Sequence, residues 1–131
     1  MMEPQRKTAL ELLDIQQTLV DREPIFHREE FGRTRADFEV MMAEEFWEVG
    51  ASGRRYSREY VLYTLEQRYA APYDDEWKTG DFYCQEIAPA NYLLTYTLWQ
   101  GSRVTRRATI WRASANGWLI VFHQGTLVDS A

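Results

Sequence analysis

The chain has 131 residues, 45% of them hydrophobic, which suits one domain with its own core and is too short for two comfortable ones. Its formal charge of −5 argues against general nucleic-acid binding, which needs clustered Lys and Arg; Arg103, Arg106, Arg107 and Arg112 form a local exception. No apolar run reaches membrane-spanning length, Met1 to Lys7 lacks an apolar signal core, and the single cysteine, Cys84, cannot close an internal disulfide. The expectation is a soluble, cytoplasmic protein with no membrane or nucleic-acid partner.

Five Trp, eight Tyr and six Phe are a surplus of large rings, consistent with a lined cavity, an interface or simply a well-filled core. In chain order, Thr8 followed by Glu11 fits a capping box, and Leu12, Ile15 and Leu19, with Leu13 and Val20, predict a core-facing helix over about Ala9–Val20. Asp21 to Arg33 is polar and interrupted by Pro24 and Gly32, so it reads as a loop, with His27 a solvated surface histidine. Thr34 and Asp37 make a looser capping pattern for a short helix with Phe38, Met41 and Met42 on one face, ending near Ala43.

Phe46 to Gly50 predicts a short strand with Phe46 and Glu48 on one side and Trp47 and Val49 on the other. A turn at Gly50-Ala51-Ser52-Gly53 leads to a second short strand near Arg54–Tyr56. Ser57 then caps a third helix with Val61, Leu62, Leu65 and Tyr69 inward, closed by Pro72 and Asp74-Asp75-Glu76. From Gly80 onward the hydrophobic period becomes two. Four strands are predicted over Asp81–Ala88, Tyr92–Gln100, Arg103–Ala113 and Trp118–Thr126, with tight connections that make neighbours antiparallel. Helices followed by a meander give an α+β architecture, helices on one face of a curved antiparallel sheet.

A two-residue turn at Asn116-Gly117 would set Trp111 opposite Phe122 and Ile110 opposite His123; one at Gly101-Ser102 would set Tyr96 opposite Arg107 and Leu94 opposite Thr109. Tyr96, Arg107, Thr109, Trp111, Phe122 and Gln124 then share the ring-rich face toward the helices. His123 falls on the other face with Ala108, Ile110 and Val121. A single bulge would swap part of this assignment. The second face is too apolar for water alone and reads as a surface for a second subunit.

Helix, short helix, strand, helix and meander, together with Glu45-Phe46-Trp47-Glu48-Val49-Gly50-Ala51-Ser52-Gly53, Thr109-Ile110-Trp111-Arg112 and Gly117-Trp118 through Thr126, resemble the nuclear transport factor 2-like superfamily and its SnoaL-like branch over about residues 8–127. The resemblance implies a cone-shaped α+β barrel in one domain, a pocket at its wide end and homodimers through the sheet. Relatives include isomerases, cyclases, dehydratases and non-catalytic association domains, so the fold does not choose among them. The isomerase relatives carry an Asp near the end of the first strand and a Tyr as part of an oxyanion site. Here Glu48-Val49-Gly50 lacks that Asp, and the first helix has no Tyr.

Glu48 is the sharpest acid–base candidate, because an apolar pocket would raise its pKa. The competing reading is a structural ion pair with Arg107, or with Arg112 if the strand parity slips. His123 is the second candidate, tuned to neutral pH as an ordinary histidine. Tyr96, Arg107, Thr109, Trp111 and Gln124 complete the expected ligand pocket. His27 and His123 show no metal-ligand spacing, Cys84 has no base beside it, and there is no phosphate-binding glycine loop, so neither metal nor cofactor is expected. The leading expectation is a homodimeric protein binding a small organic molecule, using proton transfer if it is an enzyme. The alternative is a non-catalytic dimerisation or association module.

Overall fold

The computed structural model describes residues 2–70 and 76–129. A 3-10 turn, Leu10–Leu12, leads into α1, Leu13–Val20. Of the predicted stripe, Leu19 is fully buried, Leu12 and Ile15 pack partly on the core, and Leu13 faces out. Thr8 does not cap this helix. Its hydroxyl accepts from the backbone N of Cys84 at 3.1 Å, fastening the N-terminal segment to the sheet. The second capping box forms as expected: Thr34 and Asp37 bond reciprocally at the start of α2, Arg35–Met41, which buries Phe38 and Met41. Ser57 accepts from the backbone N of Tyr60 and opens α3, Arg58–Tyr69, whose Val61, Leu62, Leu65 and Tyr69 are all buried. The predicted stop at Pro72 and Asp74-Asp75 lies outside the described residues.

The strands are β1 (Met42–Val49), β2 (Arg55–Ser57), β3 (Lys78–Ala88), β4 (Asn91–Gln100), β5 (Arg103–Ser114) and β6 (Gly117–Leu127). They form one open sheet in the order β2-β1-β6-β5-β4-β3. The four-strand meander appears as predicted, but the sheet is mixed, because β1 runs parallel to β6. The chain leaves β1, makes β2 and α3, and returns through three strands, so a hydrogen-bonded β6 meets β1 in the same direction. Leu94, Leu98, Trp111 and Ile120 are buried on the inner face, against Phe38, Leu19 and Leu62.

The turn between β4 and β5 has the expected register, Tyr96 opposite Arg107 and Leu94 opposite Thr109. The β5–β6 hairpin does not. Its turn is centred on Ala115-Asn116, and Gly117, at φ 110°, pairs with Ser114 as the first strand residue. The Ser114 hydroxyl donates to the carbonyl of Gly117 at 2.6 Å and holds that register. Further along, Trp111 faces Ile120 while Ile110 faces Phe122, leaving Val121 as an extra residue. This bulge keeps Ile120 inside, turns Phe122 out against Trp47, with ring centroids 4.8 Å apart, and brings His123 inside.

Candidate functional site

Between α3, the loop after α1 and the inner face of the sheet lies a cavity of about 450 Å³. That is the size of a small-molecule site. Ile25, Phe26, Val61, Leu65 and Ile120 supply apolar wall, and Tyr56, Tyr60, Tyr96, Glu48, Arg107 and His123 add polar groups.

At the cavity floor a chain of hydrogen bonds runs across two strands to the loop. Arg107 Nη1 is 3.2 Å from His123 Nε2, His123 Nδ1 is 2.9 Å from Thr109 Oγ1, and Thr109 Oγ1 is 2.7 Å from Glu23 Oε2. A guanidinium only donates, so Nε2 must be the accepting nitrogen and Nδ1 must carry the proton. The Thr109 hydroxyl therefore accepts from His123 and donates to Glu23. Burial and the neighbouring Arg107 lower the His123 pKa to about 3, so the ring is neutral throughout the physiological range.

Glu23 is only 1% exposed, and its Oε1 accepts from the backbone N of Ile25 at 3.3 Å. Burial raises its pKa, and the bonds to Thr109 and Ile25, with Arg107 nearby, pull the other way. Loss of water also raises the pKa of Glu48, opposed by Arg107 and Arg68. Glu48 makes no hydrogen bond or ion pair among the described residues. The expected pairings with Arg107 and Arg112 are therefore not formed: Arg112 bonds Glu45 at 2.8 Å, and Arg107 bonds His123 and, through Nε, Thr105 Oγ1 at 3.1 Å. Tyr96 is buried with its hydroxyl beside the Glu23 carboxyl, close enough for each to shift the other's titration but without a hydrogen bond of good geometry among the described residues. Burial first, then the Glu23 charge, pushes this phenol well above its ordinary value, so it keeps its proton.

Of the predicted pocket residues, Glu48, Tyr96 and Arg107 line the cavity, and Thr109 lies just beneath it, bonded to Glu23 and His123. His123 lines it too, although regular alternation had put it on the outer face; the Val121 bulge reverses that placement. The same bulge moves Gln124 to the exposed outer face, opposite Ala108. Trp111 is fully buried in the core beneath Arg22, whose guanidinium is 5.3 Å from the ring, and it does not line the cavity. His27 is half-buried in the cavity wall rather than solvated. Glu23 was not anticipated at all. The apolar triplet Pro24-Ile25-Phe26 inside an otherwise charged stretch was the signal that this loop turns inward. Among the described residues no three His, Cys, Asp or Glu side chains converge as a metal site.

No protein-family model and no curated protein matches the chain. Solved structures do. A cystatin-like-fold protein from Caulobacter vibrioides superposes with a TM-score of 0.67 at 14% identity, covering 92% of each chain. A candidate ketosteroid isomerase from Parabacteroides distasonis gives 0.64 at 14% identity, covering 95% of this chain and 96% of its own. A candidate calcium/calmodulin-dependent kinase II association domain from Exiguobacterium sibiricum gives 0.56 at 17% identity, covering 99% of both. The protein has the nuclear transport factor 2-like, cystatin-like α+β cone fold. At these identities the likeness speaks to fold alone.

Proposed function

We propose that the protein binds a small, partly apolar organic molecule in the cavity and that Glu48 is its acid–base group. The observation that carries this reading is Glu48 itself, a desolvated carboxyl in the wall of a preformed cavity with no bond to hold it ionised. In this reading His123 is a neutral link between Arg107 and Glu23 and not a proton carrier. A proton transfer such as isomerisation, cyclisation or dehydration fits one carboxyl of raised pKa facing an uncharged substrate carbon. The likeness to a candidate isomerase agrees with this chemistry.

The test is a thermal-shift screen of small organic molecules on wild type and on Thr64→Trp, which fills the cavity from its exposed rim. Hits should vanish in Thr64→Trp, and any turnover should vanish in Glu48→Gln. Hits that survive the filled cavity would sink the proposal.

A second reading, association through the outer sheet face, is favoured by a specific patch. Trp47 is 44% exposed and sits beside half-buried Phe122, Ile110 and Leu93 on adjoining strands. The association-domain neighbour has the same fold. A homodimer through this face is compatible with a ligand in the cavity, because the two lie on opposite sides of the sheet.

A further inference from the structure

We propose that the cavity's ligand carries a carboxylate, held between the Arg107 guanidinium and the Tyr96 hydroxyl; this rests on the reading of the cavity as a ligand site. Tyr96 and Arg107 are direct cross-strand partners on the inner face, so both side chains rise from the same point of the sheet. Arg107 spends its Nε on Thr105 and one Nη1 proton on His123. Its Nη2 makes no hydrogen bond, and no carboxylate lies within ion-pair distance of it among the described residues. Among the described residues the Tyr96 hydroxyl is a buried donor without a hydrogen bond of good geometry. A buried donor left unmatched is costly, and native structures seldom keep one without a use.

Glu23 lies beside both groups, its oxygens accepting from Thr109 and Ile25, and leaves the Tyr96 hydroxyl without a hydrogen bond of good geometry. On the other flank Arg107 pairs with Gly125, where a Cβ would lie 3.5–3.8 Å from Arg107 atoms. With hydrogen in that place, Gly125 itself puts nothing over the guanidinium, and His123 is the β6 side chain that touches it.

The donors select the anion. A guanidinium edge and one phenol present hydrogens to two oxygens, the number a carboxylate offers, and such charge-assisted bonds are the strong ones. A phosphate would bring a further oxygen and a second charge beside Glu23 and Glu48, with no donor to meet them. The described walls carry Arg103 and Arg107 against Glu23 and Glu48, so one more negative charge is matched once one of these carboxyls holds its proton. Protonation of Glu48, which burial favours, would remove one of the two like charges beside the anion. Phe82 stacks on Tyr96 at 5.3 Å and fixes the phenol, so little ordering is left for the ligand to impose.

The test compares 2-naphthylacetate with its uncharged amide by titration calorimetry at neutral pH. We expect the acid to bind about tenfold or more tightly than the amide, as charge-assisted bonding predicts. Tyr96→Phe, which keeps the ring packing, and Arg107→Met should each bring the ratio toward one by weakening the acid more than the amide, whose carbonyl accepts only the weaker uncharged bond. An amide that binds wild type as well as the acid overturns this proposal and leaves the cavity reading standing. Failure of both probes to bind overturns the two together.

Discussion

His123 and Glu48 perturb stability in opposite senses, and pH separates them. The folded His123 pKa, about 3, lies below the ordinary histidine value of 6.5, so between those values the unfolded chain holds a proton that the folded one does not. Its contribution is complete above pH 6.5 and is lost on acidification, at about 1.4 kcal/mol per pH unit within that window. Glu48, with a folded pKa raised above 4.5, is the reverse: its ionised form weakens the fold at neutral pH, and acidification toward 4.5 recovers that loss. Urea denaturation across pH 4 to 8 checks both. His123→Gln should flatten the acid-side decline, and Glu48→Gln should raise stability at neutral pH by about 1 kcal/mol, the typical worth of relieving one such perturbed carboxyl. A Glu48→Gln protein less stable than wild type at pH 7 would mean the carboxyl is held by a partner after all.

At the level of the elements, the helices and the β4–β5 hairpin were legible because each rests on local signals. Thr34 and Ser57 cap, the Val61-Leu62-Leu65-Tyr69 stripe buries, and Gly101 at φ 62° turns between the paired Gln100 and Arg103. The β6 strand was not legible, because side-chain parity propagates and one extra residue, Val121, reverses everything after it. The sequence around Val121 has no glycine or proline to mark the bulge; β1, pairing with β6 on its far side, also shifts register there. Glu23 escaped for another reason: a charged residue in a charged loop is ordinarily solvated, and only the long-range bond to Thr109 makes it a core residue. The hairpin gives a direct prediction. Gly117 has open space around a Cβ but sits at φ 110°, so Gly117→Ala should cost about 1 kcal/mol from backbone strain alone, with the urea midpoint lowered and the m-value unchanged.

At the scale of the whole molecule, the sheet is one residue thick between two surfaces of different use. Arg107 and Ala108 are consecutive, yet Arg107 faces the cavity and Ala108 the outer face beside Gln124 and Thr95. A carboxylate at Ala108 would place charge in the middle of a face that, in a homodimer, excludes water. Ala108→Asp should convert dimer to monomer in sedimentation velocity while leaving occupancy of the cavity unchanged. A wild type that sediments as a monomer at micromolar concentration would remove the outer face from the reckoning.

The bond from Thr109 to Glu23 has a mechanical meaning. The segment bearing Glu23 also brings Pro24, Ile25, Phe26 and His27 to one side of the chamber, and among the described residues the Thr109 hydroxyl gives the Glu23 side chain its hydrogen bond of good geometry to the sheet. It works as a latch. Thr109→Val keeps the shape and removes the catch, so amide hydrogen exchange should quicken across 21–33 while the strands stay slow. The loop would then stay tied to α3, where the Tyr69 hydroxyl donates to the Phe26 carbonyl, but would have lost its catch on the sheet.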